Sequence, residues 1–225
     1  QEFEAYFVGG FVRDYLLSLE SKDVDITTNA LPEDIEKIFE NTVATGKKYG
    51  TITVFIEDIG FEVTTYRVDQ KYLNHRKPES VIFSQKLKED LSRRDFTINA
   101  LAMNDKLEII DLYNGQADLE NHLIRAIGNP DERFKEDALR ILRALRFVSK
   151  LDFSIDENTL LSMKSNLNLL NELANERVLQ ELEEIFKNPH NKSAVKYMKQ
   201  IGFSDVLSDF SFGLEPYLKS DINLD

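Results

Sequence analysis

The chain has 225 residues, of which 42% are apolar and 30% charged, with a formal net charge of −12 and no cysteine. That length suits a sizeable core in one or two domains, and the composition is ordinary for a globular protein. Disulfides and thiolate metal sites are excluded, which fits a reducing cytoplasm, and His75, His122 and His190 lack a zinc spacing. No uncharged apolar run is long enough to span a bilayer, and the opening QEFEAYFVGGF has no signal-peptide pattern.

In chain order, Ala5–Val8 reads as a strand, Phe11–Leu19 as a helix and Val24–Thr27 as a strand. Leu31–Phe39 is a helix with Pro32 in its first turn. Thr51–Ile56 and Phe61–Tyr66 alternate β-branched and polar residues around Glu57-Asp58-Ile59-Gly60, a hairpin signal. The polar, proline-containing stretch Lys71–Glu79 is expected as a loop, Ser92–Met103 as a helix and Leu107–Asp111 as a strand. Beyond Gly115 the strand signal ends. Ala138, Ile141, Leu142, Leu145 and Val148 mark one apolar face of a helix over Glu132–Lys150. Further helices are expected at Asn158–Leu169, Glu176–Lys187 and Asn191–Ile201. The fold class is therefore α+β, a mixed-sheet head followed by helices. The end, SDFSFGLEPYLKSDINLD, does not read as a finished helical domain, so a fragment of something longer is expected.

The net charge argues against a nucleic-acid partner, but its distribution does not. Lys71–Arg94 holds seven Lys/Arg against three Asp/Glu, and His122–Lys150 seven against four. Such basic bands suit a polyanionic ligand.

Gly9-Gly10 lies between strand and helix, where a backbone without Cβ can approach a phosphate and Arg13 can add a charge-assisted contact. Asp23 and Asp25, two apart in a predicted strand, share a face and repel each other. A hard cation such as Mg²⁺ relieves that repulsion, with Glu62 on a second strand as a candidate third carboxylate. In Arg93-Arg94-Asp95-Phe96-Thr97-Ile98-Asn99, Arg94 suits a triphosphate, while Asp95 and Asn99 suit a ribose hydroxyl or the orientation of the arginines. On the predicted helix from Glu132, Asp137, Arg140 and Arg143 form a slanting polar stripe opposite the apolar face, with Arg146 beyond it. A carboxylate acceptor beside a guanidinium donor can read the edge of a base.

Taken together, GGFVRDYLL…DVDI, TITVFIEDIGFEVTTYR, YLNHRKPESV, RRDFTINALA, EDALRILRALRF and ERVLQELEEIF resemble the class II tRNA nucleotidyltransferases, the CCA-adding enzymes of the DNA polymerase β-like superfamily. The resemblance runs from about residue 6 to 186. It implies a palm-like nucleotidyltransferase head over residues 1–125, a helical neck over 126–188 and the start of a helical body over 189–225. It also implies two Mg²⁺ ions at Asp23 and Asp25, and triphosphate-contacting positions at Gly10 and Arg13 with Arg94 beside them, Gly9 counting with Gly10 among the nucleotide-binding residues. Asp137 and Arg140 then act as an amino-acid template for cytosine or adenine, with Arg143 and Arg146 also at nucleotide-binding positions. Glu176-Arg177 matches a motif that supports the neck. The implied partners are the tRNA 3′ end, CTP and ATP, and no membrane.

The nearest rival is a bacterial poly(A) polymerase, in which a basic motif ending in phenylalanine follows the metal strand. The corresponding ATGKKYGTITV favours the tRNA enzyme. An A-adding tRNA nucleotidyltransferase stays open, and an inactive nucleotide- or RNA-binding module is the rival of another class.

Overall fold

A computed structural model of the chain describes residues 3–21, 23–73 and 77–206. It divides into two compact units, one from residues 1–71 and 78–121 and the other chiefly from residue 122 onward. No described helix is long and apolar enough to cross a membrane.

The first unit is built on a seven-stranded mixed sheet in the order β3-β4-β5-β2-β1-β8-β9. Strand β1 (Ala5–Val8) turns through Gly9 into helix α1 (Gly10–Leu16). Strand β2 (Asp25–Thr28) pairs antiparallel to β1, and helix α2 (Pro32–Ile38) begins at its proline. Strand β3 (Thr42–Gly46) is a short edge that the sequence reading missed. Strands β4 (Thr51–Ile56) and β5 (Ile59–Thr65) form the expected hairpin. Its loop is Glu57-Asp58 alone, both with positive φ as a type I′ turn requires, and Gly60 lies inside the strand. Strand β5 runs parallel to β2, aligning Glu62 with Asp25.

The alternation of TITVFI turns Ile52 and Val54 inward, where with Ala30, Ile35 and Val63 they make a core under which Ile26 packs. Full burial of each such aliphatic side chain contributes about 1.5–3 kcal/mol.

Two expectations fail between residues 67 and 103. Strands β6 (Arg67–Leu73) and β7 (Lys77–Phe83) form a two-stranded ribbon where a loop was expected. A two-stranded ribbon has only edges, and an edge tolerates Pro78; residues 74–76 of that stretch lie outside the described residues. The expected helix over Ser92–Met103 is replaced by helix α3 (Leu87–Ser92), a 3₁₀ turn at Thr97–Asn99 and strand β8 (Leu101–Met103). Every residue from Thr97 to Met103 is buried. A strand enclosed on both faces, between β1 and β9 (Ile109–Asp111), reads as a continuous apolar run without period. Helix α4 (Gly115–Glu120) closes the unit.

From residue 122 to 206 the described residues of the second unit are mainly helical, with a two-residue parallel pair, β10 (Leu123–Ile124) and β11 (Ser154–Ile155). The helix expected over Glu132–Lys150 is broken in two, α5 (Pro130–Glu136) and α6 (Leu139–Leu151). Helix α5 starts where the Asn129 side chain caps the Asp131 amide ahead of Pro130. The apolar face of α6 is as expected: Ala138, Ile141, Leu142, Leu145 and Val148 are all fully buried. It packs on α8 (Asn175–Lys187) and α9 (Asn191–Ile201), while α5 packs on α7 (Glu157–Ser165). A 3₁₀ segment, Leu167–Glu172, replaces the end of the helix expected to reach Leu169. Of the stretch over 189–225, residues 207–225 lie outside the described residues.

Candidate active site

In the first unit the site grows from the end of β1. Antiparallel register sets Val8 opposite Asp25, so the Gly9 turn opens beside that carboxylate. Gly9 has φ +70° and ψ −133°, a conformation that side chains resist. A Cβ there would lie 2.9 Å from Arg94 Nη1 and 3.5 Å from Asp25 Oδ2. Glycine therefore serves two needs at once: the backbone turn, and room for a guanidinium beside a carboxylate. Arg94, Gly9 and Asp25 are thus brought together.

Asp25 belongs to β2, whereas Asp23 is exposed and lies two residues before the strand begins. Burial pushes the Asp25 carboxyl above its ordinary range; the Arg94 charge opposes this and the Asp23 charge adds to it. Glu62 is aligned with Asp25 but exposed, and among the described residues no three acidic or histidine side chains gather closely enough to hold an ion. The structure thus does not assemble Glu62 into a third ligand. The donor set that remains, two carboxylates with surplus negative charge, fits a hard divalent cation that completes its shell with phosphate and water oxygens.

Arg13 lies on α1, but its guanidinium is buried. Nε donates to Asp14 Oδ1 at 2.7 Å, and Nη1 donates to Asn99 Oδ1 at 2.7 Å. Asn99 Nδ2 in turn donates to Asp95 Oδ1 at 3.0 Å, which also accepts from the Phe96 amide at 2.8 Å. In this network Asn99 bonds the Arg13 guanidinium directly and Asp95 bonds Asn99. Gly10 flanks it, since a Cβ there would meet Arg13 Nη2 at 3.5 Å.

Sequence reasoning missed Asp14 and Asp90. Asp90 is fully buried and receives Arg93 at 2.8 Å and Arg94 at 3.5 Å. The available signal was the repeated pairing of acid and arginine in FVRDY and EDLSRRD.

The second unit holds the other predicted residues. Asp137 is not on a helix: its extended backbone (φ −141°, ψ 99°) separates α5 from α6. Its Oδ1 accepts from the Leu139 amide at 3.1 Å, so the side chain caps the helix that follows. The expected stripe opposite the apolar face is corrected accordingly, because Arg140 is buried and turned back over α5. Its Nη1 donates to the Arg133 carbonyl and to Glu136 Oε2, both at 3.0 Å. Burial raises the Asp137 carboxyl, against the pull of Arg140, Arg177, the Leu139 amide and Arg143. Arg143 is half-buried on α6. Arg146 pairs with Glu181 of α8 at 3.2 Å and lies over the Phe147 ring. Asp137 therefore shares one environment with three guanidinium groups, those of Arg140, Arg143 and Arg177, which suits reading of a polar ring edge.

Residues 5–125 match the family model described as the poly A polymerase head domain. The chain belongs to this family. Residues 152–210 of this poly(A) polymerase head-domain member match a second model, described as a probable RNA and SrmB-binding site of polymerase A. The chain is 46% identical over 209 residues to the CCA-adding enzyme of Lactobacillus helveticus, an alignment covering 93% of this chain and 52% of that protein. The crystal structure of the Bacillus stearothermophilus CCA-adding enzyme in complex with CTP superposes with a TM-score of 0.82 at 41% identity, covering 88% of this chain and 48% of that one. A tRNA nucleotidyltransferase complexed with a primer tRNA and an incoming ATP analog gives a TM-score of 0.73 at 30% identity, over 91% of this chain and 59% of that one. The chain spans about half the length of the curated relatives it matches.

Proposed function

We propose that this chain carries the nucleotide-transferring and nucleotide-selecting part of a CCA-adding enzyme. It adds CMP and AMP from CTP and ATP to the 3′ end of tRNA without a nucleic-acid template. The observation that carries the reading is the placement of Arg94 over Gly9 beside Asp25. Naming of the relatives as CCA-adding enzymes, with CTP in one solved structure and a primer tRNA with an ATP analog in another, supports it. A cytoplasmic setting belongs to the same proposal.

In this reading the 3′ hydroxyl oxygen attacks the α-phosphorus as its proton passes to solvent, a new P–O bond forms and the bond to pyrophosphate breaks. Asp23 and Asp25 would hold two Mg²⁺ ions. When bound, these supply Lewis-acid stabilisation of the charge on the attacking and leaving oxygens. Arg94 neutralises the triphosphate from a fixed position, and Gly9 leaves the space in which it does so. Arg13 is held by Asp14 and Asn99, and through Asn99 it is tied to Asp95, so it stiffens the floor of the turn. Asp137 accepts from, and Arg140 donates to, the edge of cytosine or adenine. Arg143 and Arg146 contribute positive charge along the same helix. A uracil or guanine edge leaves buried donors and acceptors unmatched, which costs more than the matched bonds contribute.

The test is extension of tRNA transcripts lacking three, two or one nucleotides of the CCA end, with Mg²⁺ and each nucleoside triphosphate separately. Stepwise C, C and A addition is expected. Extension of only the CC-ended transcript would replace the proposal with A-addition. Long adenylate tails on unrelated RNA would replace it with poly(A) synthesis, and nucleotide binding without incorporation by the full-length protein would leave a binding module.

A further inference from the structure

Asp90 has no part in the proposed chemistry, yet its setting is hard to explain by stability alone. Its carboxylate is fully buried, and burying an ion pair generally contributes no more than a well-packed apolar replacement. Its two oxygens are divided. Oδ1 is taken by Arg93, through Nε at 2.9 Å and Nη2 at 2.8 Å. Oδ2 is left to Arg94 Nη2 at 3.5 Å and to the Thr27 hydroxyl at 3.2 Å. Thr27 lies on β2, two residues after Asp25, and its hydroxyl is also within 3.1 Å of the Thr64 carbonyl on β5. Strand β2 therefore sets the carboxylate that holds Arg94 as well as the carboxylate beside which Arg94 lies.

The grip engages one nitrogen of Arg94. Only Nη2 meets Asp90, Nη1 projects over Gly9, and Nε has no hydrogen-bond partner among the described residues. A guanidinium held at Nη2, with Nη1 over a glycine turn, is oriented but not consumed.

We propose that Asp90 is a positioning residue for nucleotide binding: anchored by Thr27 and saturated on one side by Arg93, it fixes Arg94 over Gly9 so that the guanidinium meets the triphosphate without reorganising. This rests on the reading that Arg94 contacts the triphosphate. Preorganisation of this kind raises affinity by removing the cost of ordering a long side chain. It acts on the phosphates and not on the base.

Equilibrium binding of CTP and of CMP, in Mg²⁺, to the parent, Asp90→Asn, Arg94→Ala and the double variant tests this. Asp90→Asn is expected to weaken CTP binding about 10-fold, to leave CMP binding within about twofold, and to add nothing once Arg94 is alanine. A merely structural role would lower CTP and CMP binding alike through the folded fraction. That result, parent-like CTP affinity in Asp90→Asn, or multiplying effects in the double variant would each overturn the proposal. Parent-like CTP affinity in Arg94→Ala would instead remove Arg94 from the triphosphate, and the underlying reading with it. Should Asp90→Asn fail to fold, Thr27→Val decides: about a threefold loss for CTP alone is expected, and parent-like affinity overturns the role.

Discussion

Replacing Gly9 with alanine tests the geometry on which the site depends. Two costs follow from the structure. A side chain at φ +70° and ψ −133° sits in a region that only glycine adopts freely, at about 1–3 kcal/mol. The new Cβ would also lie 2.9 Å from Arg94 Nη1, closer than such contacts occur, so the guanidinium must move. Moving it loosens the Asp90 contact, worth about 1 kcal/mol at its 3.5 Å length. The sum, about 2–4 kcal/mol, should lower the melting temperature by roughly 5–15 °C in a protein of this size. Gly128→Ala is the control: it has the same φ of +70° but nothing within 4 Å of the new Cβ, and so it carries the backbone cost alone. Thermal unfolding of both variants, with CTP titration of each, makes the comparison. Gly9→Ala should melt below Gly128→Ala and bind CTP at least 10-fold more weakly, an approximate figure for one lost charge-assisted contact. Equal melting temperatures with parent-like CTP binding would refute the close packing of Arg94 on Gly9.

Asp25→Asn should abolish nucleotide incorporation, by about two decades or more. It should also raise the melting temperature at neutral pH in a metal chelator. Burial has raised the Asp25 pKa, so the charged carboxylate costs stability as pH rises through the folded value, and the gain should shrink toward acid pH. Asp90 has the opposite sign: its ordinary range is lowered because Arg93, Arg94, and the Arg93 and Thr27 hydrogen bonds together outweigh the burial that opposes them. Its contribution is full above the unfolded carboxylate pKa and is lost as pH falls through the depressed folded value. Asp90→Asn should therefore lose about 3 kcal/mol near neutrality and show a shallower fall in melting temperature between neutral and acid pH. Arg140→Ala should reduce CTP-over-UTP discrimination more than CTP affinity, and unchanged discrimination in binding competition would contradict the template role. Loss of its bonds to Glu136 and the Arg133 carbonyl should also cost about 1–3 kcal/mol, measured by urea unfolding.

Local patterns carried much of this protein. Alternation in TITVFI, the glycine pair after AYFV, Pro32 at a helix start and the apolar face of α6 each depend on neighbours within a few residues. They were legible in the sequence for that reason. So was the list of chemical groups, since charge and hydrogen-bonding capacity belong to the residue and not to its surroundings.

Three features required the tertiary structure. Leu101–Met103 is a strand because β1 and β9 pair with it; alone, its alanine, leucine and methionine favour a helix. Asp137 leaves the helix because its carboxylate satisfies the Leu139 amide, a choice an aspartate makes at a helix start but not at every helical position. Arg94 meets Gly9 and Asp25 only because the register of β1 and β2 opens the glycine turn at Asp25 while Asp90, pinned by Thr27, turns Arg94 toward it. The residue types determined which chemistry was possible. Pairing between distant segments, which sets an arginine beside a carboxylate some 69 positions away, decided where that chemistry is assembled.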